Sequence, residues 1–136
     1  MSMTQDKSVK YEVVLGLPLH SNVINGRMVL CEEIAMRAWM KYAKEYYMET
    51  NVYVSAIANA GYALYHDDWG CPKSGEEVVT FNCTANRVFV KDLDVYEKGV
   101  LYIAEKLKER FKQDTVTITR LDADIYYLTS EKEYKK

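Results

Sequence analysis

Between Val9 and Leu19 the apolar residues recur at every second position: Tyr11, Val13, Leu15, Leu17 and Leu19 share one side of the chain. Lys10, Glu12, Val14, Gly16 and Pro18 share the other. A period of two with one apolar side reads as a strand covered on one face. The period changes at Leu30. From there to Glu49 the apolar residues return every three or four positions, the spacing of an amphipathic helix. Projected at about 100° per residue, Glu33, Arg37, Lys41, Lys44 and Glu45 gather in an arc of about 120°, and the apolar remainder covers about 200°. A helix on one sheet needs an apolar stripe of roughly 100°, so the excess asks for a second surface. That excess centres on Met36, Trp39, Met40, Ala43 and Tyr47. The second helix and a loop absorb part of it. A second copy of the chain is expected to cover the rest, because Trp, Tyr and Met are enriched at such patches.

After the helix, Val52 to Tyr65 reads as a long extended run with Gly61 marking a bend. His66 to Gly75 is dense in turn residues and reads as a hairpin loop. Glu76 to Ala85 alternates again as the returning strand. Asn86 to Leu93 is a connector, extended through Val88 to Val90, and Asp94 with Glu97 three residues later marks the start of a second helix, Val95 to Lys112. Its apolar stripe is Tyr96, Val100, Ile103, Ala104, Leu107 and Phe111. A last strand begins near Thr115. The apolar phase slips after Leu121, which reads as a break at Asp122 and Asp124 into two short strands. Asn25-Gly26, flanked by Val23-Ile24 and Met28-Val29, is a turn signal that leaves a small extra hairpin open. The order strand, helix, two strands, helix, strand is that of an α+β, ferredoxin-like βαββαβ sandwich: an antiparallel sheet with two helices on one face. It forms one domain, residues 9–129, between flexible termini at 1–8 and 130–136.

With 136 residues, 49% of them apolar, the chain is long enough for a single cohesive core. The 18 basic and 20 acidic residues are mixed along it, so no basic face for polymeric nucleic acid is expected. The longest mostly apolar stretch, Val52 to Leu64, is interrupted by Ser55 and Asn59 and is too short to span a membrane. No signal-peptide segment opens the chain. Cys31, Cys71 and Cys83 form no C-x-x-C pair and suit a reducing compartment, so a cytoplasmic domain is expected.

Gly16-Leu17-Pro18, the helix with Trp39, the Gly-containing turn after the second strand and Glu109-Arg-Phe-Lys-Gln-Asp-Thr-Val116 together resemble an uncharacterised bacterial family of small ferredoxin-like domains. The resemblance runs from Tyr11 to Leu128 in layout. It implies the fold and carries no activity.

The topology brings the His20 to Arg27 loop, the Tyr65 to Glu76 hairpin and the start of the last strand to one edge of the sheet. A ligand site is expected there, made of His20, Arg27, Tyr65, His66, Trp69 and Lys73: an aromatic surface, two groups titrating near neutral pH and two cations, suited to a planar anion. No cofactor is implied. No metal is expected, since His66, Asp67, Asp68 and Cys71 lack the spacing of a zinc or iron motif and turn chemistry accounts for the loop, with the two aspartates capping backbone N–H groups. Cys71 beside His66 lacks an oxyanion hole for nucleophilic work. The twelve tyrosines could stack bases, but Glu12, Val14, Thr80 and Asn82 stand where RNA-recognition modules carry paired aromatics. The function expected from these residues is a self-associating, non-enzymatic module binding a small polar or nucleotide-like ligand or a protein partner. An α+β barrel enzyme formed by two copies, and a purely structural or regulatory protein, remain as alternatives.

Overall fold

The computed structural model describes residues 2–17, 22–24 and 27–130, with the backbone alone for 22–24 and 27–29. In chain order the elements are β1 (Ser2–Gly16), β2 (Asn22–Ile24), β3 (Arg27–Val29), α1 (Cys31–Thr50), β4 (Ile57–Ala63), β5 (Glu76–Thr84), α2 (Leu93–Arg110) and β6 (Thr117–Thr129). β4, β5, β1 and β6 lie side by side in that order, and every neighbouring pair is antiparallel. This is the ferredoxin-like arrangement, with β2 and β3 inserted as a small hairpin whose turn, Asn25-Gly26, lies outside the described residues.

The alternation in β1 sets the layers. Val9, Tyr11, Val13 and Leu15 are buried toward the helices, whereas Lys10 and Glu12 are exposed on the open face. Trp39 of α1 stacks on Phe81 of β5 with ring centroids 4.5 Å apart, and its indole N–H donates to the Val54 carbonyl at 3.1 Å. The two helices meet at Gly99, where a Cβ would come within 2.6 Å of the Tyr46 ring. The Tyr46 hydroxyl donates across to the Val95 carbonyl at 2.7 Å. α1 ends at Asn51, which takes the left-handed conformation at φ 62°.

Several boundaries differ from those read in the sequence. β1 starts at Ser2 rather than Val9, because residues 2–8 pair with 123–129 of β6 while carrying no buried face that alternation could reveal. β6 is unbroken, with register running from Thr117 opposite Val14 to Thr129 opposite Ser2. The phase slip is real, but it marks a change in which face is covered. Beyond Leu121 the segment after β5 lies against the ribbon: the Ser8 hydroxyl donates to the Ala85 carbonyl, and the Arg87 N–H donates to the Tyr127 hydroxyl. The run Val52 to Tyr65 is strand only from Ile57 to Ala63. β4 begins only at Ile57 although β5 runs on to Thr84: Val54 is buried instead, with its carbonyl taken by the Trp39 indole, so residues 52–56 lie outside the ladder. α2 is capped by Asp92, not by Asp94. The Asp92 carboxylate accepts from the N–H groups of Asp94 and Val95 at 2.9 and 3.2 Å. The connector 86–91 is a turn around Asn86, whose Oδ1 accepts from the Val88 N–H at 2.9 Å.

Candidate functional site

The β4–β5 hairpin closes one end of the sheet, where β1 also ends and β6 begins. A 3-10 turn, Asp67–Trp69, shapes the loop. The expected caps are reversed here: His66 Nδ1 accepts from the Asp68 N–H at 3.0 Å, and both aspartates are exposed. The His66 and Trp69 rings lie 5.9 Å apart. Tyr65, His66, Cys71 and Lys73 line a cleft of about 860 Å³. At its border the Tyr65 hydroxyl donates to Glu76 Oε1 at 3.3 Å. Partial burial first, and then the Glu76 charge, holds the Tyr65 phenol above its ordinary 10.0, so it stays a proton donor.

Glu76 is not alone. A Cβ on Gly16 would lie 2.8 Å from Glu76 Oε2 and would also collide with the Gln113 amide oxygen. The glycine therefore makes the room in which a carboxylate and an amide converge over the end of β1. Neither Glu76 nor Gln113 was among the expected site residues. The signal was present in the sequence as an acid opening the strand after an aromatic hairpin, but it reads equally well as an ordinary strand start.

A second cavity, of about 810 Å³, lies at the opposite end of the sheet, between the C-terminal end of α1, residues 51–57 and the turn after β5. Tyr47, Tyr53 and Phe89 give it aromatic walls, and Asn51, Asn82 and Asn86 give it amides. Tyr47 and Tyr53 meet edge to face at 6.0 Å. Lys10 is the charged residue in its lining.

Of the six residues expected at the ligand edge, Tyr65, His66 and Lys73 share the hairpin cleft, and Trp69 stands beside His66, 78% exposed. Arg27 lies in β3, and His20 is outside the described residues. The ligand atoms of His66, Asp67 and Asp68 fall within 4.8 Å of one another, all exposed. His66 Nδ1 already spends its lone pair on the Asp68 N–H, which leaves that trio a capped turn. Of the five α1 residues assigned to a partner surface, Trp39 and Ala43 lie in the chain's own core, Met36 is half-buried, and Met40 and Tyr47 are exposed. Cys31 and Cys83 are buried, and burial pushes the Cys83 thiol up to about 12. Among the described residues no helix is long and apolar enough to cross a membrane.

The family model for SAM lyase matches residues 6–129. Two structures of phage SAM lyase are similar to this chain. One, in complex with S-methyl-5'-thioadenosine, is 15% identical over 93% of both chains, with a TM-score of 0.48. The other, in the apo state, is 11% identical over 94% of both chains, with a TM-score of 0.49. A hydantoinase/carbamoylase family amidase from Burkholderia ambifaria is 11% identical over 88% of this chain and 28% of its own, with a TM-score of 0.39. No curated protein matches the chain. The family match overturns the expectation of a non-enzymatic binding module, because the family is one of enzymes. It also replaces the uncharacterised bacterial family of the resemblance, while the small ferredoxin-like domain stands. Fold and residues 6–129 together give one conclusion: the chain belongs to the SAM lyase family.

Proposed function

We propose that this protein cleaves S-adenosylmethionine without water, at the sheet end closed by the β4–β5 hairpin. The match to the SAM lyase model over residues 6–129 carries the reading. A lyase needs neither hydrolysis nor oxidation, and this substrate contains its own nucleophile. Its α-carboxylate attacks Cγ, and the Cγ–S bond breaks with its electron pair going to sulfur. The sulfonium becomes the neutral thioether of methylthioadenosine, and the carbon fragment closes to homoserine lactone. No proton moves, and the α-ammonium is unchanged. Positive charge disappears from sulfur as the bond breaks, so a site gains rate from folding the substrate into the ring-closing conformation and excluding water more than from binding the sulfonium tightly.

The chemistry of the hairpin end fits such a substrate. In this reading Glu76 holds the α-ammonium, with Tyr65 keeping that carboxylate oriented through its hydrogen bond. The faces of Tyr65 and Trp69 suit a sulfonium, which a planar anion would not have required. His66 and Lys73 complete the rim. Charge separates this end from the other cavity, whose lining contains Lys10 and no carboxylate. Self-association belongs to the same reading, with the exposed Met40 and Tyr47 and the half-buried Met36 on α1 facing a second copy. Light scattering from dilute protein should then show an oligomer, and a monomer would remove that part.

The test is incubation with S-adenosylmethionine and chromatography of the nucleosides. Stoichiometric methylthioadenosine is expected from the native protein. Intact substrate after prolonged incubation with folded protein would end the proposal.

A further inference from the structure

The cavity at the far end of the sheet is unused by this reaction. It is separated from the hairpin end by the length of β4, about 20 Å for seven residues at the usual strand rise. We propose that it is a second binding site, which takes an uncharged purine nucleoside and rejects a sulfonium cation. The proposal goes beyond the lyase reading and stands on the cavity alone.

Size comes first: about 810 Å³ falls within the range of small-molecule pockets. Its walls then fix the ligand's shape. Tyr53, 40% exposed, and Phe89, 70% exposed, present aromatic rings at the rim, the surface on which a base stacks. The base edge needs groups that both donate and accept. The Asn82 amide offers both, and nothing among the described residues engages it. Charge decides the rest. Lys10 has no ion-pair partner among the described residues, and no acidic residue lines the cavity, so a cation entering it would lose hydration with no countercharge. A neutral nucleoside, such as the thioether left when a sulfonium nucleoside is cleaved, meets no such penalty.

The experiment is calorimetric titration of methylthioadenosine, and separately of S-adenosylmethionine, into a combined Tyr65→Ala, Trp69→Ala, Glu76→Gln variant, which removes the aromatic faces and the carboxylate of the hairpin end. One saturable methylthioadenosine site per chain is expected, at least tenfold tighter than any binding of S-adenosylmethionine. Tyr53→Ala added to that background should weaken methylthioadenosine at least tenfold. Asn82→Asp places a carboxylate in the wall and should shift the preference toward the sulfonium at least tenfold, a change that loss of packing would not produce. Circular dichroism identifies a variant that fails to fold, and the other variant then decides. No saturable methylthioadenosine binding up to about 1 mM would overturn the proposal, as would binding that neither substitution changes. Failure of the native protein to cleave S-adenosylmethionine would leave these outcomes intact, so the two proposals fail separately.

Discussion

The two ends of one sheet differ in what their side chains can do. At the hairpin end a glycine in β1 leaves room for Glu76 and Gln113, and the surrounding rim carries charge of both signs. At the other end the walls are aromatic and amide, and the charged group is Lys10. Strand alternation governs both ends equally. The chemistry is instead decided by where backbone space is left open and whether an acid stands beside it. The two walls thus differ in charge on a single scaffold.

Three buried features tie the ends together: Trp39 on Phe81, Gly99 against Tyr46, and Tyr11 beside Tyr96. The most damaging change to the comparison is therefore to the core. Trp39→Ala should cost about 3–5 kcal/mol and disturb both ends at once, measured by denaturant unfolding. Met48→Ala, exposed on the same helix and outside the surface assigned to a second copy, should stay within about 0.5 kcal/mol in the same measurement.

Alkali tests the same core without mutation. The Cys83 thiol is raised from 9.0 to about 12 by burial, so the folded state keeps a proton that the unfolded state releases. That contribution is fully present below pH 9 and is lost as pH rises toward 12, where stability should fall with a slope of up to one proton from this group. Cys83→Ala should flatten that part of the profile.

The hairpin end is sharpened by two substitutions of decreasing effect. Glu76→Gln should reduce turnover of S-adenosylmethionine roughly a hundredfold, about 2.7 kcal/mol, with stability little changed because the group is at the surface of the cleft. Gly16→Ala should reduce turnover about tenfold. Its methyl group displaces the far ends of two flexible side chains rather than backbone, so thermal unfolding should move far less than activity. Equal losses of stability and activity would assign Glu76 and Gln113 a merely structural role. The mildest probe is thiol labelling: in native protein Cys71, half-buried in the hairpin loop, should react while Cys31 and Cys83 wait for unfolding.

Much of this architecture was legible in the sequence wherever one face of an element is buried. The alternation of Tyr11, Val13 and Leu15 marked the layer of β1, and the two helical stripes placed α1 and α2 on one side of the sheet. The hairpin edge was reached from topology, which brought Tyr65, His66, Trp69 and Lys73 to one end. What escaped has a common cause. The ribbon of residues 2–8 with 123–129 has little buried face, and in 52–56 the Val54 carbonyl is held by the Trp39 indole outside the ladder, so both depend on a neighbour that periodicity does not record. Glu76 and Gln113 converge only because Gly16 lacks a side chain, a relation across 60 and 97 residues of chain. The wide apolar arc of α1 was misleading in part for a similar reason: Trp39 and Ala43 are covered from within, and the Phe81 ring stacked on Trp39 belongs to β5.

The central claim is that the substrate's own carboxylate makes the new bond, and the most direct measurement is the fate of oxygen from solvent. S-adenosylmethionine should be turned over in water enriched in oxygen-18, with the products resolved by mass spectrometry before the lactone opens. The account expects methylthioadenosine together with unlabelled homoserine lactone, and label only in the carboxyl group of any homoserine formed later by ring opening. Homoserine labelled at its hydroxyl oxygen would show that water attacked Cγ, and would contradict the account.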